Sequence, residues 1–184
     1  MFTIALVLLL AISAYGAGYI HRAIRPMGMM ADIVQFHEKF GLMYDGPPRI
    51  LHDELYSFRF KFMHEELEEY AEEQESISMM ANALPSSIRY TNKIDQCLEK
   101  QLDALVDLVY VVLGTAYLQF GREIFLEAWK RVHKANMAKV RAERAGDSKR
   151  GSTFDVIKPE GWTPPSHIDL IQARHGPVFE VDGI

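Results

Sequence analysis

Residues 50–73 read ILHDELYSFRFKFMHEELEEYAEE, and this stretch decides the fold. Leu51, Leu55, Phe58 and Phe62 recur at steps of four, three and four, the spacing of one face of an α-helix. The next members of that stripe are Glu65, Glu66 and Glu69. At ~100° per residue, their carboxylates fall within about 100° of arc on the face that the apolar residues mark as inward. A solvated acidic run would avoid the apolar stripe. This one takes its place.

Working outward, a helix over residues 93–120 repeats the anomaly and stops at Gly121. From Ala104 to Leu118 it is apolar almost all round, through Leu105, Val106, Leu108, Val109, Val111, Val112 and Leu113, which predicts a buried helix. Yet Asp103 and Asp107 stand on one face, with Glu99 a turn earlier. Unpaired ionised carboxylates in a core cost several kcal/mol each, and crowded together they repel until some protonate. A divalent cation resolves both problems. All-oxygen ligation favours Mg²⁺, with Mn²⁺ as a substitute, over zinc. The candidate catalytic and metal-binding residues are Glu65, Glu66, Glu69, Asp103 and Asp107.

The next helix is expected over residues 122–145, with Phe125, Trp129, Val132 and Val140 as its apolar stripe. His133 and Asn136 lie inside that stripe, Lys139 borders it, and Lys130, Arg131 and Lys134 make the helix basic. Such a helix suits a polyphosphate held partly by a metal and partly by Lys and Asn. Upstream, residues 31–40 predict a short helix with Ile33, Val34, His37 and Phe40 on one face, ended by Gly41. Phe36, His37 and Phe40 could stack on a base, with His37 as the candidate substrate contact, or could simply pack.

Residues 45–48, Asp-Gly-Pro-Pro, form a turn, and residues 74–92 read as a loop. Residues 153–157 could be a short strand, but without an obvious partner. The expected fold is all-α: an antiparallel bundle of four to five helices, preceded by an N-terminal hydrophobic helix.

Composition narrows the class. The chain has 184 residues, 48% of them hydrophobic, enough for one core. A net charge of −5 argues against a nucleic-acid-coating surface. The single cysteine, Cys97, cannot form an internal disulfide and is expected to pack.

Residues 2–20 carry no charge and as a helix would span about 28 Å, close to the bilayer's hydrocarbon thickness. His21, Arg22 and Arg25 follow, so an anchor would leave the catalytic part on the cytoplasmic face of the membrane. A start at Met29 or Met30 and a signal peptide are the other readings of this leader. The expected organisation is a leader over 1–26, a helical domain over 27–165 and a tail over 166–184.

Four ordered motifs carry a resemblance: Glu65-Glu66-Leu67-Glu68-Glu69; Asp103-Ala104-Leu105-Val106-Asp107; Val132-His133-Lys134-Ala135-Asn136-Met137-Ala138-Lys139; and Lys158-Pro159-Glu160-Gly161-Trp162-Thr163-Pro164-Pro165. Over about residues 30–165 the chain resembles the all-α nucleotide pyrophosphohydrolase superfamily, which includes MazG-like and phosphoribosyl-ATP pyrophosphohydrolase-like proteins. It is most similar to the single-domain MazG-like proteins of bacteria and phages.

The resemblance implies a Mg²⁺-dependent enzyme that converts an NTP or dNTP to the monophosphate and pyrophosphate. It places Mg²⁺ on Glu65, Glu66, Glu69 and Asp107, and phosphate or sugar contacts on Asn136, Lys139 and Lys158. It also implies a homodimer or homotetramer. The usual second motif is ExxD; here Ala104 stands where the Glu would be, and the acid sits one place earlier at Asp103.

Blander readings stand beside these. Residues 65–69 could be a solvated face, Asp103 and Asp107 could pair with Arg59, Arg131 or Lys61, and Asn136 could cap or cross-link helices. A di-iron bundle needs Glu-x-x-His on two helices, but His64 and His133 follow Lys61 and Lys130. The alternative from another class is a non-catalytic, membrane-tethered helical scaffold.

Overall fold

A computed structural model describes residues 28–83 and 92–172. The leader, the final residues of the tail and the stretch 84–91 lie outside it, and with them the expected membrane helix. Contacts divide the chain into two units, residues 1–42 and 43–184.

The described part of the first unit is helix α1, Gly28–Lys39, with Met30, Ile33 and His37 buried. It ends as expected. Gly41 adopts φ +68°, the left-handed conformation that side chains resist. Leu42 N–H then reaches the His37 carbonyl at 2.8 Å and Gly41 N–H the Glu38 carbonyl at 3.3 Å, the paired bonds of a Schellman motif.

The second unit is built on two long helices, α2 (Asp53–Ala83) and α3 (Asn92–Phe120). They run antiparallel. Arg59 donates to Val111 O and Thr115 Oγ1, whereas Gln101 reaches back to Tyr70 O and Gln74 Oε1. As residue number rises along one helix it falls along the other. His52 caps α2, its Nδ1 accepting the Leu55 N–H at 3.3 Å.

Helix α2 runs ten residues past the expected end at Glu73. No Gly or Pro interrupts 74–83, and pairing with α3 continues through Glu73–Lys100 and Gln74–Gln101. Helix propensity and tertiary contact outweigh the polar composition that reads as a loop.

The inward stripe of α2 departs from the expected one at Phe58, while Leu51 is buried and Leu55 and Phe62 are half-buried. Phe58 is 59% exposed, and Arg59 takes the inward position. Its guanidinium bonds to α3 and its stem covers the interface. On α3 the buried stripe runs through Ile94, Gln101, Ala104 and Val111, and Gly114, Ala116, Tyr117 and Leu118 are buried at its end. Leu102, Leu105, Val106, Val109 and Val112 are exposed, so up to residue 112 this apolar helix is buried on one side only, and beyond it more fully.

Gly121 separates α3 from α4, Arg122–Met137. The expected continuation to 145 does not form: Val140–Arg141 becomes strand β1, antiparallel to β2, Val156–Ile157, with Val140 opposite Ile157. The strand expected at 153–157 therefore has a partner, drawn from residues read as the end of a helix. Trp129, assigned to the inward stripe of α4, is 61% exposed. A short helix α5, Ile168–Gln172, docks on α4 through Arg131, which grips Asp169 at 2.6 and 2.8 Å. Five helices and one two-stranded ladder make the described chain all-α.

Candidate functional site

Of the three glutamates continuing the α2 stripe, one is inward. Glu66 is 7% exposed, while Glu65 and Glu69 flank it on the surface. From α3, Asp103 and Asp107 are exposed on either side of Ala104, which is 2% exposed on the packing stripe. The five acids form one electrostatic group. Burial pushes the Glu66 carboxyl up from its usual range, and Glu69, Asp107, Glu65 and Asp103 push it further, in that order. Asp103, displaced from the usual motif position, acts least.

Glu73 supplies the contrast. It lies two turns along the same face and receives Lys100 Nζ at 2.7 Å, and its carboxyl is held below the usual range by Lys100 and Cys97. The fold can supply a cation to an inward acid, but Glu66 faces four more acids. Among the described residues none of Glu65, Glu66, Glu69, Asp103 and Asp107 has a hydrogen-bond or ion-pair partner.

The ion pairs that could have satisfied the two aspartates are not formed. Arg59 is committed to Thr115 and Val111, and Arg131 to Glu127, Ser166 and Asp169. The donor set is all oxygen and forms no ion pair, which fits a hard divalent cation. The side chains do not form a closed cage: among the described residues no three His, Cys, Asp or Glu are grouped to hold an ion.

Glu66 gives the patch a pH signature. Its folded pKa is above its unfolded value, so between the two the folded chain binds more protons. Stability of the metal-free protein should therefore fall as pH rises from the ordinary carboxylate range through the raised value. Denaturant titrations from about pH 4 to about pH 8 should show this loss. Glu66→Gln, which cannot ionise, should flatten it. Equal pH slopes in the two proteins would contradict this electrostatic account.

A second group gathers at the end of α4. Lys139 Nζ donates to Asn136 Oδ1 at 2.7 Å and stands 5.5 Å from the Trp162 ring centre, while Lys158 Nζ stands 4.4 Å from the same ring. Trp162 Nε1 donates to Ala135 O at 2.8 Å, fastening the tail to α4. Gly161, at φ +75°, makes the turn that swings the indole back, closed by Trp162 N–H to Pro159 O. The three residues named as phosphate or sugar contacts thus share one neighbourhood.

Lys139 and Lys158 also line a pocket of about 610 Å³ with Lys149 and Arg150. Sequence reading passed over those two. The signal was a Lys-Arg pair before Gly151 in a turn. No hydrogen bond or ion pair joins the acidic and basic groups among the described residues.

His37 belongs to the other unit. Its ring is 2% exposed with Nδ1 2.7 Å from Ile33 O, the setting of a packing histidine, while Phe36 and Phe40 beside it are exposed.

Residues 33–136, more than half of the chain, match the sequence profile of the phosphoribosyl-ATP pyrophosphohydrolase family, within the MazG-like superfamily. The match covers all five acids and Asn136, and ends before Lys139 and Lys158. Compared with curated proteins individually, the chain gives no match.

Proposed function

This chain belongs to the phosphoribosyl-ATP pyrophosphohydrolase family, and from that premise we propose that it is a Mg²⁺-dependent nucleoside triphosphate pyrophosphohydrolase. The coarse activity is that of the family: a hydrolase of phosphoric anhydride bonds acting on a nucleotide. Enzymes of this kind typically use divalent metal ions. The proposal adds the ion, the residues that hold it and the substrate class. The observation that carries it is Glu66, buried among four other acids with no cation of the protein's own.

The ligands of the ion and the acceptor of the water's proton are proposed to come from Glu65, Glu66, Glu69, Asp103 and Asp107. When bound, Mg²⁺ would offset part of their negative charge, polarise a phosphoryl oxygen and make bound water more acidic. A carboxylate of the five not engaged with the ion accepts the proton of the attacking water. Lys139 and Lys158 hold non-bridging phosphoryl oxygens and offset the charge on the departing pyrophosphate. Asn136, whose amide oxygen already accepts from Lys139, orients that ammonium and leaves its NH₂ for a sugar or phosphate oxygen. Water cleaves the α–β anhydride: NTP and water give NMP, pyrophosphate and a proton.

The test is a panel of canonical and modified NTPs and dNTPs, with phosphoribosyl-ATP, assayed for pyrophosphate with and without Mg²⁺. Mg²⁺-dependent release from at least one triphosphate supports the proposal. Release from phosphoribosyl-ATP alone would move the substrate to the compound of the family's name.

We also propose a homo-oligomer, a dimer at minimum. Leu102, Leu105, Val106, Val109 and Val112 recur at helical spacing along the exposed side of α3, with Tyr56, Phe60 and Leu67 exposed on α2. An exposed apolar stripe of this kind on a helix marks a protein–protein contact. Helix α3 also has the length and composition of a membrane span, but it pairs along its length with α2. The leader is proposed to hold the enzyme at the cytoplasmic face of a membrane.

A further inference from the structure

We propose that the open pocket lined by Lys139, Lys149 and Lys158 is a binding site for a polyphosphate anion, with Lys149, which lies outside the four ordered motifs, as a ligand. The inference rests on the pyrophosphohydrolase reading for its biological ligand, the pyrophosphate portion of the nucleotide, but its evidence is separate from the acidic patch.

The pocket, about 610 Å³, falls within the usual range for small-molecule sites. Its charged lining is Lys139, Lys149, Arg150 and Lys158 against Asp147 and Asp155, four cations and two anions, a formal excess of two. Both acids are already engaged. Asp147 accepts the Arg144 N–H at 2.9 Å. Asp155 accepts the Val156 N–H and Arg150 Nη1, at 2.9 and 2.8 Å, and its carboxyl is held below the usual range chiefly by the backbone bond.

Arg150 is thereby spoken for, which leaves three ammonium groups, Lys139, Lys149 and Lys158, without a carboxylate partner among the described residues. Like charges around one cavity repel, and a multivalent anion relieves all three contacts at once.

The wall that carries Lys149 is held in place. Ser148 is buried, and its Oγ accepts the N–H groups of Arg150 and Ser152 at 3.1 and 3.2 Å. Lys149 therefore projects from a loop pinned on both sides, while the β1–β2 ladder and the Trp162 ring set Lys139 and Lys158. Lysines carried on a fixed backbone bind with less ordering cost than lysines on a loose loop. A polyphosphate meets several spread cations, whereas a single phosphate reaches fewer.

Calorimetric titration of the full chain with inorganic pyrophosphate, in EDTA so that no metal contributes, tests the site. Wild type should bind pyrophosphate more tightly than inorganic phosphate, and added salt should weaken the binding. Lys149→Gln should lose on the order of tenfold in affinity. Lys149→Arg should restore most of it, and Lys93→Gln, on the exposed start of α3, should change nothing. The Lys149 side chain is exposed and makes no structural bond, so folding is not at stake.

Equal pyrophosphate affinity in wild type and Lys149→Gln would overturn the inference, as would no binding by wild type. Turnover on the same preparations separates the two readings. A wild type that binds pyrophosphate but cleaves no nucleotide removes the proposed reaction and keeps the site. One that cleaves nucleotide, with Lys149→Gln binding pyrophosphate as wild type does, removes only the site.

Discussion

Glu66→Gln and Asp107→Asn should each lower turnover on the order of 10³-fold or more, a loss of roughly 4 kcal/mol of transition-state stabilisation. Glu66 is the buried member of the acidic group and Asp107 the strongest contributor from α3, so each substitution removes a proposed ligand from a different helix. Losing a partner one shell further out typically costs 10–100-fold, and a direct ligand should cost more.

The fold should not suffer. Each change removes one like charge from a group in which no acid has an ion-pair partner, so the metal-free variants should melt at or above the wild-type temperature. This pairing of lost activity with kept or gained stability separates a functional acid from a structural one. Wild-type turnover in both variants with saturating Mg²⁺ would contradict the site.

Val109→Asp should weaken self-association by more than about 100-fold, because an unpaired charge buried in an apolar contact costs several kcal/mol. In a single chain Val109 is 43% exposed, so the aspartate can remain hydrated and the helix pair intact. Sedimentation at micromolar concentration should show an oligomer for wild type and a monomer for the variant, with the same helical content. A monomeric wild type would refute the assigned interface.

The acidic stripe and the two long helices were legible because period and chemistry agree in residues 50–73 and 93–120. Misreadings fell where one level of structure overrode another. Scoring by hydrophobicity selects Phe58 for the inner face, yet Arg59 occupies it because Thr115 and the Val111 carbonyl satisfy its guanidinium. Val106, Val109 and Val112 read as buried in their own chain, whereas at that level the helix pair covers only the stripe through Ala104 and Val111.

The end of α4 was missed because the partner of β1 lies beyond a loop stabilised by Ser148, whose two N–H contacts no periodicity reveals. Lys149 and Arg150 escaped for the same reason: a turn, not a helix face, brings them beside Lys158. Glu66, by contrast, follows directly from spacing, and its burial is the feature on which the functional account stands.

The most direct measurement is ³¹P NMR of a turned-over triphosphate, run in Mg²⁺ and again in EDTA. The account predicts resonances of a nucleoside monophosphate and inorganic pyrophosphate in equal amounts with Mg²⁺, and an unchanged triphosphate in EDTA. Nucleoside diphosphate with inorganic phosphate, or equal cleavage in EDTA, would contradict it.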